Sequence, residues 1–465
     1  MSTARPRRVP AIVAGVVPAI VIGPLNSTMV VVALPDVSRH FGLRPGAESA
    51  IVTAYLIAMA CLLPVAGKLG DRHGRRRAVL SGLVLFSAAS AGAALSGDFA
   101  LLVGFRVLQA AGGALLLPNG MAILRDVVPP DRLGRTLGVV GVAAPLAAAA
   151  GPPLGGLLLS FGDWRALFGV NLVLLLLPVV VGWAVLPRSP RSPSARGFDG
   201  FGAVLLCVLL VAFTQLLGGP RPVWAAVAWA VVLAVSGVGF VVHALRHPDP
   251  VVAPRLFRNR VFTAAAAGTL LSNVALYGVL LTVPLVLAAR SDWSPGASGV
   301  VLSAVLGAVA VLTPVGGWLV DHVDRRLLGV GGFLVVGASL LVVAFAGSGL
   351  GQAALAGCLA ACGLGLGLAN PAVQVVSIEA VPPAETGSAG GVLATTRYLG
   401  SITCSALLAG PLAAVVHGGG FAVPFTTYAV AGLAGAVAMA TLPDRARRHA
   451  SPAPGATAAG SAPTR

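Results

Sequence analysis

Two kinds of residue in this sequence could do chemistry. The first kind is polar or charged and stands inside long apolar runs. Arg106 sits in Arg106-Val107-Leu108-Gln109-Ala110-Ala111-Gly112-Gly113, with Gln109 one turn further on and no acid in that stretch. Arg397 is flanked by Thr395, Thr396 and Tyr398. A cation among apolar residues must face a cavity, a carbonyl or a partner, and for Arg397 the pattern leaves cavity and carbonyl both open. Asn26 and Thr28 stand in a third run, Leu25 to Pro35, followed at once by Asp36. An asparagine can bind or glue helices together, but it carries no proton at a useful pH. These groups suit recognition of a small molecule and movement of protons.

The second kind is a charged loop. Gly67-Lys68-Leu69-Gly70-Asp71-Arg72-His73-Gly74-Arg75-Arg76-Arg77 packs one carboxylate, five cations and three glycines into eleven positions. Such a cluster is too costly for lipid, so it lies at a membrane surface, and its sign places it in the cytoplasm. The glycines allow a tight turn and close helix approach. Asp71, paired with a cation or set against a helix N-terminus, would hold neighbouring helices in one arrangement. The pattern returns roughly 250 residues later as Gly317 to Arg326, with Asp321 and Arg325 in matching places. Val128-Pro129-Pro130-Asp131-Arg132-Leu133-Gly134 is echoed at nearly the same offset by Val381 to Gly387. Two echoes at one separation predict two homologous halves.

The elements that must position these residues are membrane helices. The chain has 465 residues, 57% hydrophobic and 10% charged, with mean hydropathy +0.92. A soluble protein of this size needs far more charge. Apolar runs of spanning length occur at 10–34, 49–67, 78–96, 99–123, 134–160, 166–186, 200–219, 223–243, 262–288, 296–320, 327–348, 351–378, 387–415 and 422–442. Fourteen helices place both termini on one side. Alternate assignment leaves only Arg39, Arg44, Arg165, Arg221 and Arg290 on the other side, so both termini are expected in the cytoplasm. The first run lacks a convincing cleavage site and is read as an uncleaved anchor. The net charge of +16 is dispersed over loops on one side, which argues for topology and against a nucleic-acid partner.

Catalysis and ATP drive find no support. There is no His-Glu-x-x-His, no paired intramembrane Asp, no nucleophile elbow near a suitable His and no phosphate-binding Gly-x-x-x-x-Gly-Lys-Ser/Thr; the sole lysine, Lys68, is in the charged loop. Cys61, Cys207, Cys358, Cys362 and Cys404 all lie in apolar runs without His or acid beside them, and are read as fillers. No metal and no cofactor is expected.

The Gly-x-Leu-x-Asp-Arg-x-Gly-Arg-Arg loop (Gly67, Asp71, Arg72, Gly74, Arg75, Arg76) resembles the signature loop of the major facilitator superfamily of secondary transporters. The arrangement as six, two and six helices is similar to the superfamily's fourteen-helix drug:proton antiporter branch. Further stretches resemble that branch: Arg106 to Gly112 its Arg-x-x-Gln-Gly motif, with Ala110 for one Gly, and Gly151-Pro152-Pro153-Leu154-Gly155-Gly156 its Gly-Pro-x-x-Gly-Gly motif. In the similar first-helix motif, Asn26 stands where the family usually has Asp.

The resemblance implies an all-α integral membrane protein with two pseudo-symmetric six-helix halves. The expected segments are 1–9 as a cytoplasmic start, 10–187 as the first half, 188–246 as linker and inserted pair, 247–443 as the second half, and 444–465 as a disordered cytoplasmic tail. It implies alternating access in the cell membrane by a monomer that exports a lipophilic small molecule, a drug, antibiotic or toxic metabolite, in exchange for protons. Import or facilitation, or export without protons, remain the alternatives. Asn26, Thr28, Arg106, Gln109, Arg397 and Asp36 would line the substrate and proton pathway. The loops at Asp71 and Asp321 would gate it, and the helix of Gly151, Pro152, Gly155 and Gly156 would flex.

Overall fold

The computed structural model describes residues 9–187, 199–219, 221–248, 250–289, 295–382 and 385–442. The expected cytoplasmic start up to residue 8, the arginines at 188, 191, 196 and 290, and the tail lie outside these. Among the described residues there is no strand, and fourteen helices are long and apolar enough to cross a membrane.

In chain order the helices are α1 (Val9–Val32), α2 (Leu34–Phe41), α3 (Ala50–His73), α4 (Arg75–Ala94), α5 (Phe99–Val127), α6 (Pro130–Phe161), α7 (Ala166–Val185), α8 (Gly200–Leu217) and α9 (Val223–Arg246). There follow α10 (Arg260–Ala288), α11 (Pro295–His322), α12 (Arg325–Ala346), α13 (Gln352–Glu379), α14 (Thr386–Ala409), α15 (Ala413–His417) and α16 (Ala422–Ala440). Only α2 and α15 are too short to span.

Four helix starts, those of α5, α8, α10 and α12, carry polar caps that satisfy otherwise unpaired amides. Asp98 accepts from Ala100 and Leu101 at the start of α5, Asn259 from Val261 and Phe262 at α10, and Asp324 from Arg326 at α12. Asp199 caps α8 through Gly202 and also accepts from His243 of α9 at 2.6 Å and from the Val251 amide at 3.1 Å.

Three boundaries differ from the apolar runs. The first run divides because Pro35, lacking an amide proton, opens the separate helix α2. The run at 387–415 breaks at Gly410, leaving α15 apart. Helix α3 continues through the charged stretch to His73, and the turn falls on Gly74 alone, at φ 101°. Gly70 is a packing residue: a Cβ there would stand 1.5 Å from the Asn119 side-chain oxygen of α5, whose amide nitrogen donates to Ala66 O at 2.9 Å.

The halves repeat contact by contact. In the first, α4 packs on α5, α3 on α5, α1 on α6 and α7, and α4 on α7. In the second, α12 packs on α13, α11 on α13, α10 on α14 and α16, and α12 on α16. The repeat reaches the backbone. A Cβ on Gly112 would meet Gly82 O at 2.9 Å, and one on Gly365 would meet Gly332 O at 2.5 Å. Small residues at both places let helices touch where lipid offers no hydrophobic drive. The halves join through α6 against α11 and α3 against α14. Helix α8 leans on α3 and α14, and α9 stands outside it with 11% of its spanning window buried, so α9 is a lipid-facing strut.

Candidate functional site

The polar groups of the first half meet where α1, α3 and α5 converge. Arg106 is 0% exposed. Its guanidinium donates to the side-chain oxygen of Asn26, to Gln109 Oε1 at 3.0 Å and to Ile51 O at 3.3 Å, and lies 4.3 Å over the Tyr55 ring. None of these partners carries a negative charge. Gln109 passes the network on to Ser90 Oγ at 2.7 Å, and Asn171 of α7 also reaches Ser90 at 3.4 Å. The Asn26 amide nitrogen and the Arg106 Nη2, both excluded from solvent, have no hydrogen-bond partner.

The second half meets this cluster through Tyr277 of α10. Its hydroxyl lies 3.5 Å from Ser27 Oγ, next to Asn26 in the chain. Arg397 is exposed although it stands midway along α14. Its helix packs on α10 and on α3 of the first half, and Ser401, one turn on and on the same face, is buried and donates to the Arg397 carbonyl at 3.2 Å.

Two expected pathway residues do not join the cluster. The Thr28 hydroxyl donates to Ala148 O of α6 at 2.8 Å and back to its own helix. Asp36 lies on α2, beyond the spanning part of α1, and pairs with exposed Arg39. The described acids all stand at helix ends, in α2 or in loops, away from helix middles.

Gly151 and Gly155 bring α6 against α1. Cβ atoms there would meet Leu25 O at 2.9 Å and Met29 O at 2.8 Å, beside Asn26. Helix α6 runs unbroken past Pro145, Pro152 and Pro153, and the Pro152 carbonyl lies 2.7 Å from where a Cβ of Gly299 on α11 would be. The motif therefore lies between the centre of the first half and the second half.

At the Gly74 end, Arg75 holds Asp71 Oδ1 at 2.9 Å and Asp126 Oδ2 of α5 at 2.6 Å. Arg76 donates to Trp183 O at 2.8 Å, and Arg72 is exposed. In the second half, Arg325 pairs with Glu379 of α13. Asp126 and Glu379 thus occupy equivalent places, and the charged loops clamp the end of the fourth helix of each half. Asp321 is exposed at the end of α11.

At the opposite end the halves are pinned together. The Thr53 and Ser405 hydroxyls are hydrogen-bonded, and a Cβ on Gly46 would meet Leu408 O at 2.8 Å. Glu48, 0% exposed, accepts from the Gly46 amide at 3.2 Å. Its Oε1 lies 3.2 Å from Nε2 of His417, an ion-pair distance with the N–H off line. The carboxylate holds His417 above the ordinary imidazole value, against the opposing effect of burial. One further triad, Asp199, His243 and His247, gathers potential ligand atoms within 4.8 Å of one another. It stands at the start of α8, and the Asp199 oxygens are already taken by two amides and His243.

The sequence reading missed Tyr55, Tyr277 and Glu48 with His417. The tyrosines did leave a signal. The chain has four, and all fall inside apolar runs, whereas membrane proteins favour tyrosine at the interfaces.

The sequence profile of the Major Facilitator Superfamily matches residues 16–404 and again residues 265–464. The chain is 34% identical over 389 residues to the uncharacterized MFS-type transporter YvkA of Bacillus subtilis, spanning 83% of this chain and 87% of that one. It is 31% identical to the tetracenomycin C resistance and export protein of Streptomyces glaucescens, over 83% of this chain and 72% of that one. The crystal structure of a D-xylose–proton symporter superposes with a TM-score of 0.68, over 94% of this chain and 98% of the other. At 16% identity that likeness is one of fold alone.

Proposed function

The chain belongs to the major facilitator superfamily, and from that premise we propose that it exports a lipophilic small molecule, a drug, antibiotic or toxic metabolite, by alternating access. The observation that carries the reading is the polar cluster of Asn26, Arg106 and Gln109 in the first half, with the adjoining Ser27 hydroxyl 3.5 Å from the Tyr277 hydroxyl of the second. Alternating access requires a site shared by two bodies that rock about it. The outward direction is supported by the Gly151-Pro152-x-x-Gly155-Gly156 stretch and by a relative named as an export protein.

We read 10–187 and 247–443 as the moving halves, 188–246 as the pair between them, and the monomer as the working unit. The excess of arginine at the Gly74 end argues that this end and both termini face the cytoplasm of a cell-membrane protein. On that orientation, Thr53–Ser405 and Glu48–His417 close the outer side, and the Arg75 and Arg325 clamps stiffen the inner ends of each half. Exchange for protons is the drive that the resemblance supports. Export without protons is favoured by one observation: Arg106 faces an amide where the motif has a carboxylate.

The test is accumulation of a panel of lipophilic antibiotics and dyes, in cells with and without the protein, each with and without a protonophore. Lower accumulation that the protonophore restores supports proton-driven export. Lower accumulation that ignores it supports the uncoupled exporter. Higher accumulation in expressing cells would replace export by import.

A further inference from the structure

Resting on the transport reading above, we propose its substrate class: an organic anion, an apolar molecule bearing a carboxylate or ionised phenol, held between Arg106 of one half and Arg397 of the other. Arg106 is fully buried and all its acceptors are neutral. A buried cation needs an opposite charge to offset its lost hydration. Two donors at the same spot stand unanswered, Arg106 Nη2 and Asn26 Nδ2. An oxyanion would accept from both. The Asn26 oxygen already faces the guanidinium, which leaves its amide nitrogen free for such a ligand.

Arg397 supplies a second positive charge from α14 of the opposite half, a helix that packs on α3, whose Tyr55 ring lies 4.3 Å under the Arg106 guanidinium. No described acid stands in the middle of a spanning helix, so among the described residues no carboxylate answers the buried Arg106. In a medium of low dielectric the resulting field is strong and long-ranged. It attracts an anion and repels a cation, which is selection by charge.

An anion touching both arginines would also bias the two halves toward one arrangement, as differential affinity for one state demands. Leaving an inside-negative cell, it moves down the electrical potential. A carboxylate at position 26 is then unnecessary for drive and harmful for binding.

The probes are fluorescein and rhodamine 123, an anion and a cation on the same xanthene frame. Binding to the purified full-length protein is followed by fluorescence polarisation, in detergent and in nanodiscs with and without phosphatidylglycerol. The expected result is saturable fluorescein binding and rhodamine binding at least roughly tenfold weaker. Asn26→Asp, which sets a carboxylate against Arg106, should weaken fluorescein by roughly ten- to a hundredfold and improve rhodamine. Arg397→Gln should weaken fluorescein at an unchanged melting temperature.

Absence of saturable fluorescein binding, or rhodamine binding as tight as fluorescein, would overturn the proposal. So would fluorescein binding that phosphatidylglycerol abolishes, since the site would then belong to a lipid headgroup. Failure of the transport reading looks different. If rhodamine binds and is pumped out, export stands and the anion site falls. If fluorescein binds but no anion leaves the cell, the site stands and export falls.

Discussion

Arg106 reaches from α5 to the side-chain oxygen of Asn26 on α1, so a fully buried cation is answered by an amide. The bond ties two helices at the centre of the first half. Removing the acceptor leaves a charged donor with less to hold. Asn26→Ala should therefore lower stability by about 1–3 kcal/mol, the cost of leaving a buried polar group unsatisfied. The check is the unfolding midpoint of purified protein in detergent. An unchanged midpoint would mean that the charge does not rest on α1.

The duplicated glycine contacts predict duplicated sensitivity. Gly112 and Gly365 each press backbone on backbone, and neither neighbour can give way. Gly112→Ala and Gly365→Ala should each cost about 1–3 kcal/mol. Gly357 lies on an exposed face of α13 with nothing within 4 Å of a Cβ. Gly357→Ala should be neutral or stabilising by up to about 1 kcal/mol. Thermal unfolding of the three variants side by side decides it; equal effects at all three positions would remove the packing argument.

Helix number, the repeat and the charged loops were legible because they are properties of one dimension: run length, spacing and loop charge. Arg106, Asn26 and Gln109 were legible singly, each as a polar residue in an apolar run. Their meeting was not, since it depends on how α1 and α5 rotate against each other. Asp36 shows the limit clearly. It sits one position past Pro35, yet that proline opens α2 and turns the carboxylate toward Arg39. The loop glycines were read as serving a tight turn and close helix approach together; which did which was not legible, and Gly74 makes the turn while Gly70 seats Asn119. The pairing of Asp126 with Arg75 and of Glu379 with Arg325 was not legible, since it depends on helix ends that run past the apolar stretch.

Those two pairs should behave as equivalents. Asp126→Asn and Glu379→Gln each remove one arm of a partly exposed ion pair. Partly exposed pairs contribute little to stability, about 0–1 kcal/mol, so melting should barely move. Transport should fall severalfold in both, as it should for Asp71→Asn, with insertion into the membrane intact. Accumulation assays at matched expression measure this. Full transport by well-expressed variants would leave the clamps without a part in the cycle.

The pinned end carries a pH dependence with a definite sign. His417 of α15 is held above the ordinary imidazole value chiefly by Glu48, in the segment before α3. Its Nδ1 lies 2.9 Å from Ala413 O, so the charged ring can donate on one side and face a carboxylate on the other. A group whose value is raised on folding stabilises fully below its unfolded value, and the contribution is lost as pH rises through the raised one. The contact between the halves should thus be firmest in acid and weaken on the alkaline side of ordinary histidine. Melting of the wild-type protein and of His417→Gln, compared from about pH 5 to 9, should differ most at the acid end and converge at the alkaline end. A difference that is constant with pH, or that grows toward alkali, would show that the imidazole contributes by packing and not by charge.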